Sequence, residues 1–269
     1  MDLKFKSNPY NPLNVELLPK DILNILKKLN IQNYKINNLF LFQQSFVHTS
    51  YCNMKDYEEY NKPDNCLPLF NKSYETLEFL GDSFLGCVIT KYLYNRYANI
   101  HNKDEGFLTK LKIRFVCGEQ LAFLSKSIGF DKYLVLSKHV DDNCFGRENT
   151  HILEDVYESF LGALYLDSGD FSLVEKFIIQ SIETYIDFSE TILNDNNFKD
   201  QLLRYLQHNY KVYPKYVTNR TEDKSFLCDI FRNEEDKQIF ISSGKGNTKK
   251  KAEQNASKNA LIHYRIMSD

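Results

Sequence analysis

Glu75-Thr-Leu-Glu-Phe-Leu-Gly-Asp82 and, further along, Leu153-Glu-Asp-Val-Tyr-Glu158 decide the reading of this chain. Both stretches carry apolar residues at helical spacing. On a helix, Glu75, Glu78 and Asp82 fall at i, i+3 and i+7, within one narrow stripe. Leu77, Leu80, Phe84 and Val88 form the side expected to pack. In the second stretch Asp155 and Glu158 are i, i+3 neighbours, with Val156, Phe160, Ala163 and Leu164 expected to face the core. Like charges at this spacing destabilise a helix unless a cation offsets them. A single Glu-x-x-Glu pair would read as a solvated acidic face. Here apolar residues (Leu77, Phe79, Leu80, Val156, Tyr157) crowd directly against the acids, which an ordinary surface stripe avoids. Gly81 costs a helix interior on the order of 1 kcal/mol, so close backbone packing is expected there. Two facing carboxylate pairs would form a hard, oxygen-rich site suited to Mg²⁺ or Mn²⁺.

Glu75 to Leu85, Glu-Thr-Leu-Glu-Phe-Leu-Gly-Asp-Ser-Phe-Leu, resembles the signature of the ribonuclease III family, whose members cut double-stranded RNA. Three further blocks carry the same resemblance in the same order: Phe46-Val-His-Thr-Ser-Tyr51, Glu105-Gly-Phe-Leu-Thr-Lys-Leu-Lys112, and Leu153 to Asp167. The resemblance implies a mostly α-helical nuclease domain over residues 18–190. It places the family's metal-binding carboxylates on Glu78, Asp82, Asp155 and Glu158, all four present. Asp82 and Glu158 would hold metal directly, with Glu78 and Asp155 completing its surroundings. Glu75 and Glu105 match two further acids that shape the cleft near the RNA backbone and the dimer partner, whereas Glu154 reads as lying outside the set. The implied reaction is hydrolysis of a phosphodiester with two metal ions about 3.5–4 Å apart. It would leave 5′-phosphate and short 3′-overhanging ends. No nucleophilic side chain is required, and His48 and His151 read as structural.

Charge divides the chain. Net charge is −2 overall, yet residues 196–269 carry 14 Lys+Arg against 9 Asp+Glu, and residues 1–195 carry 20 against 27. An acidic part that needs cations, followed by a basic part, suits an enzyme acting on a polyanion. The basic part reads as α-β-β-β-α. Phe198, Leu202, Tyr205 and Leu206 mark a first helix. Tyr216-Val, Phe226 to Phe231 and Gln238 to Ile241 mark strands, and the stretch from Gly244 opens a last helix packed through Ala252, Ala256 and Ala260.

This pattern over residues 198–267 resembles the double-stranded RNA-binding domain. Lys249 and Lys250 match its cationic pair at the start of the final helix, where cations oppose the helix dipole and so call for a phosphate partner. Lys245, Thr248 and Arg204 complete the expected RNA-binding set. Two departures stand out. The loop that in the family carries Gly-Pro-x-His reads Asn219-Arg-Thr-Glu222, and the first helix shows Leu203 and Arg204 where a Gln-Glu pair is usual.

Between the domains, residues 191–197 read as a linker. A Cys/Asn/Asp/Tyr-rich insertion at 52–73 is expected to loop out near the active-site entrance, and residues 1–17 form an N-terminal extension. Six cysteines without Cys-x-x-Cys spacing point to reduced thiols, with Cys87 and Cys117 expected to be buried. No membrane span or signal segment is visible. The whole reads as a cytoplasmic homodimeric endoribonuclease (in a host-cell cytoplasm if viral), assembled through its nuclease domain with Phe79 and Leu80 at the contact. The alternative is a non-catalytic protein that keeps the fold and sequesters double-stranded RNA.

Overall fold

The computed structural model describes residues 7–188, 197–234 and 237–267. Residues 1–6 of the extension and 191–196 of the linker lie outside the described residues. The chain divides into two units, Met1–Thr191 and Ile192–Asp269.

The first unit is helical. Its elements are α1 (Pro19–Lys28), α2 (Leu39–Gln44), α3 (Glu75–Leu93), α4 (Glu105–Phe115), α5 (Gly118–Ile128), α6 (Lys138–Cys144), α7 (Thr150–Ser168) and α8 (Phe171–Tyr185). A π-helical turn, Tyr94–Ala98, continues α3. The hub is α7, against which α2, α3, α5 and α8 all pack. Phe160 on α7 sits amid Phe42, Phe130 and Phe177, with ring centroids 5.5, 4.8 and 5.1 Å away. Burial on α7 therefore runs almost all the way round the helix from Ile152 to Leu164, wider than the single face that the apolar spacing predicts.

On α3 the buried line is Leu77, Gly81, Leu85, Val88 and Ile89, whereas Leu80 and Phe84 are only half-buried. The packing face is thus rotated from the expected one. The cause is Gly81. A Cβ there would overlap the carbonyl oxygen of Glu158, and a Cβ on Gly162 of α7 would overlap that of Leu77. The two helices touch backbone to backbone at these glycines, which draws that face of α3 inward and places Glu78 and Asp82 on either side of the contact in sequence.

Within the N-terminal extension, Asn11 and Asn14 are tied to the helical unit. Asn14 Nδ2 donates to the Leu136 carbonyl at 3.0 Å and its Oδ1 accepts from Leu136 N at 3.1 Å and from the Arg147 guanidinium at 3.0 Å. Asn11 Nδ2 donates to Asp141 at 2.7 Å. The insertion is pinned at its base: Asn53 N donates to the Phe70 carbonyl and Phe70 N to that of Tyr51. Leu67, Leu69 and Phe70 pack against Val47, Tyr51 and Val135. All six cysteines are free thiols, but Cys87 is exposed and Cys117 half-buried; Cys66 and Cys228 are the buried ones. Cys87 lies on the side of α3 away from Gly81, a consequence of the same rotation. Among the described residues no helix is long and apolar enough to cross a membrane.

The second unit has α9 (Phe198–Tyr210), an antiparallel sheet in the order β1 (Lys215–Arg220), β2 (Phe226–Glu234), β3 (Lys237–Gly246), and α10 (Lys249–His263). Its core joins Leu202 and Leu206 of α9 to Cys228, Ile230 and Ile241 of the sheet and Ala252, Ala256 and Ala260 of α10. The last strand runs to Gly246, longer than the apolar pattern predicts. Here too glycine is the reason: Cβ atoms on Gly244 and Gly246 would collide with the α10 backbone at Ala256 and Ala252. These residues extend the sheet beneath the helix, and α10 begins only after Thr248, whose hydroxyl accepts from Lys251 N.

Candidate active site

The first turn of α3 has no side-chain cap. Instead the Tyr74 carbonyl accepts from Leu77 N and Glu78 N, at 2.8 and 3.0 Å. Glu75 and Glu78 stand in that turn, where the helix dipole favours negative charge. On α7 the side chain of Asn149 caps the helix by accepting from His151 N. The two helices then cross at Gly81 and Gly162, so the acids of one face those of the other.

Electrostatics record the juxtaposition. Burial, then the charges of Asp82, Glu154, Glu78 and Asp155, push the Glu158 carboxyl up to about 8. Burial, then Asp155, Glu75, Glu154 and Asp82, push Glu78 up to about 7. Every charge felt by these two groups is negative. Asp155 is raised chiefly by burial, although a hydrogen bond from Tyr74 Oη, 2.9 Å from its Oδ2, favours its ionised form. Glu158 is only 8% exposed, and among the described residues no lysine or arginine pairs with Glu78, Asp82, Asp155 or Glu158.

Glu78, Asp82, Asp155 and Glu158 are therefore brought together, with Glu75 at their edge, where its carboxylate accepts from Ser73 Oγ at 3.0 Å. Glu105 is not brought in. It opens α4, exposed, accepting from Thr109 Oγ1 at 2.8 Å, and it contributes to the shift of neither Glu78 nor Glu158. Glu154 belongs to the cluster electrostatically, and burial is the first cause that raises its own carboxyl. Its i, i+4 relation to Glu158 was the available signal. His151 is exposed and stands 3.5 Å from Glu154 rather than from the four acids.

Among the described residues no three His, Cys, Asp or Glu side chains stand close enough together to cage an ion outright. The donor set nevertheless fits a hard divalent cation. It consists of carboxylate oxygens alone, lacks a neutralising cation, and is open, as suits Mg²⁺, which keeps several waters and uses one or two carboxylates.

In the second unit, Lys245, Thr248, Lys249 and Lys250 lie where β3 runs into α10. Lys249 and Lys250 are exposed and have no ion-pair partner among the described residues. Lys245 pairs with Asp223 at 2.6 Å, tying the β1–β2 loop to β3. Both groups are exposed, so the pair is weak and a phosphate could displace it. Arg204 sits apart on α9, paired with Asp200.

A helical domain with carboxylates clustered at a helix crossing, followed by an α-β-β-β-α domain with a basic end, defines a class of nucleic-acid-processing enzyme. The comparisons agree. Residues 75–169 match the family profile described as Ribonuclease III domain, and residues 198–264 match Double-stranded RNA binding motif. The chain is 36% identical over 232 residues to "Ribonuclease 3" of Borreliella afzelii, covering 84% of this chain and 85% of that protein. It is 35% identical over 241 residues to "Probable ribonuclease 3" of Acanthamoeba polyphaga mimivirus, covering 87% of this chain but 40% of that longer protein. The nuclease domain of ribonuclease III from Campylobacter jejuni aligns with 61% of this chain and 98% of its own, at 25% identity and a TM-score of 0.49. The chain belongs to the ribonuclease III family. It is an endoribonuclease carrying a double-stranded-RNA-binding domain, and its family depends on divalent metal.

Proposed function

We propose that this protein cleaves double-stranded RNA by Mg²⁺-dependent phosphodiester hydrolysis, with Glu78, Asp82, Asp155 and Glu158 as the metal-holding acids. The products would be 5′-phosphate ends with short 3′ overhangs. The observation that carries the reading is the clustering of these carboxylates across one helix crossing, with no lysine or arginine paired with them among the described residues. Asp82, exposed at the rim, and Glu158, nearly buried, would hold metal directly, while Glu78 and Asp155 steady it from the flanks. When bound, the metal would lower the pKa of a water and offset charge on the scissile phosphate. The chain's own part is positional. Glu78 and Glu158 carry raised pKa values and must give up protons to bind a cation, and the α3–α7 crossing holds them on a rigid frame.

Long double-stranded RNA incubated with the purified protein should be cut only when Mg²⁺ is supplied, and duplex DNA should stay intact. Cleavage in chelator, or a shifted but uncut RNA band with Mg²⁺, would overturn the assignment. Nothing in the comparisons favours the sequestering alternative.

The basic end would meet phosphates across a groove of A-form RNA, a mode that reads shape and 2′-hydroxyls rather than sequence. Replacing Lys249 and Lys250 with alanine should weaken RNA binding and reduce the salt slope of log K by about 1 per lysine. Titrations at several salt concentrations read both effects, and an unchanged slope would remove these lysines from the interface.

We further propose a homodimer formed through the nuclease domain. Phe79, 79% exposed on α3 beside Glu78, is the apolar contact that supports it, while half-buried Leu80 lends less. Phe79→Glu should convert the sedimenting species from dimer to monomer; a dimer that persists would place the interface elsewhere.

A further inference from the structure

The Phe46-Val-His-Thr-Ser-Tyr51 segment has no part in the carboxylate cluster, yet it lies directly behind one of its acids. Tyr74, only 3% exposed, donates from Oη to Asp155 Oδ2 at 2.9 Å. None of the other three proposed metal-holding acids accepts a comparable hydrogen bond from a side chain among the described residues. The same tyrosine fixes the start of α3 through its carbonyl and donates its N–H to the Val47 carbonyl at 2.9 Å. It therefore ties an acid of α7 to the first turn of α3, bridging the two helices that carry the site.

His48 supports it from behind. The imidazole meets the Tyr74 ring edge-on, with centroids 5.9 Å apart and planes at 62°. Ser50 N donates to His48 Nδ1 at 3.1 Å, so that nitrogen is the acceptor and the proton sits on Nε2. Ser50 Oγ in turn accepts from Ser137 N at 3.1 Å, and His48 N donates to the Val135 carbonyl at 3.0 Å. Burial lowers the pKa of the imidazole, against the smaller opposing pull of the Glu75 charge. The ring is thus held at Nδ1 by Ser50 N and by Ser50 Oγ, 2.8 Å away, while the main-chain bond to Val135 and the Ser137 N–Ser50 Oγ bond fix the backbone on either side of it.

We propose that Tyr74 is a positioning residue that fixes the Asp155 carboxylate for metal binding, and that His48 and Ser50 form the rigid wall that holds Tyr74. The inference rests on the assignment of the four acids. Three groups stand in sequence: the wall (Ser137, Ser50, His48), the tyrosine, and the acid. A carboxylate held by a hydrogen bond on one oxygen presents the other in a fixed direction, and losing such an outer partner typically weakens metal affinity by about 10–100-fold.

Tyr74→Phe removes one oxygen and leaves the ring against His48. Mn²⁺ binding, followed by electron paramagnetic resonance of the free ion in the absence of RNA, should show a dissociation constant raised about tenfold. Cleavage at saturating metal should return to near the unsubstituted rate. An unchanged constant would overturn the proposal. So would a raised constant whose cleavage defect excess metal fails to restore, because that outcome marks a distorted helix crossing instead of a mispositioned acid. Glu158→Gln is measured alongside: if it too leaves Mn²⁺ binding unchanged, the acid assignment fails, whereas its loss of binding beside a normal Tyr74→Phe condemns only the tyrosine's role.

Discussion

Glu158→Gln should abolish cleavage and, in the same protein, make the metal-free fold more stable. The activity loss is expected to reach about a thousandfold or more, equal to roughly 4 kcal/mol of transition-state stabilisation, because an amide keeps the shape of the carboxylate but neither its charge nor its affinity for a cation. Double-stranded RNA binding should stay nearly intact, since the lysines of the second unit are untouched. A variant that cleaves at even a tenth of the normal rate would sink the metal assignment.

The stability gain follows from the raised pKa. The Glu158 carboxyl stands at about 8 in the folded chain against an ordinary value of 4.5. Between those values the folded form binds more protons than the unfolded form, so metal-free stability falls as pH rises through the window, and the penalty is complete above pH 8. Below pH 4.5 both forms are protonated and the penalty vanishes. Glutamine removes it, for a gain on the order of 3 kcal/mol at pH 8 and almost nothing at pH 4. Thermal unfolding in chelator at the two pH values reads this directly. Equal melting temperatures for the two proteins at pH 8 would show that Glu158 carries no such electrostatic load.

Gly81→Ala should be among the most damaging single substitutions available to this chain, at a cost of about 4 kcal/mol or more. The added methyl would lie 1.8 Å from the Glu158 carbonyl oxygen, far inside van der Waals contact. Both groups in conflict belong to helix backbones, so neither can rotate away, and α3 must lift off α7 or the domain must not form. Gly86 on the same helix is the control. A Cβ there meets nothing within 4 Å, so Gly86→Ala should stabilise by roughly 0.5–1 kcal/mol through helix propensity alone. Denaturant melts of the two variants should move in opposite directions. A Gly81→Ala protein that unfolds at the unsubstituted denaturant concentration would mean the helices do not touch as described.

Much of this was legible in the residues. Acids at i, i+3 and i+7 beside apolar neighbours, and a glycine that a helix would otherwise avoid, foretold both the carboxylate cluster and the tight crossing at Gly81. The rotation of the α3 face was not legible, because periodicity weighs side chains, and the deciding contact is made by a residue that has none. Exposed Cys87 follows from that same rotation. Glu154 lies one helical turn before Glu158, a relation that the resemblance, which matches only the i, i+3 pair Asp155 and Glu158, does not include. Glu105 lies apart from the cluster for a different reason: nothing within Glu105 to Lys112 encodes where α4 docks. The end of β3 was not legible because Gly244 and Gly246 read as helix-opening turn residues, whereas their use is to let α10 rest on the strand.

The anchoring of Asn14 to Leu136, 122 residues downstream, bears on how the chain is made. A ribosome extends a chain at roughly 5–20 residues per second. The segment around Asn14 must therefore wait on the order of ten seconds before its partner exists, and Arg147 arrives later still. What waits is Asn8-Pro-Tyr-Asn-Pro-Leu-Asn14, a stretch whose two prolines and three asparagines make it a poor seed for strand pairing with other nascent chains. The contact is thus left to residues synthesised well before their partners, and they are of a kind that can stay unfolded safely until it is made.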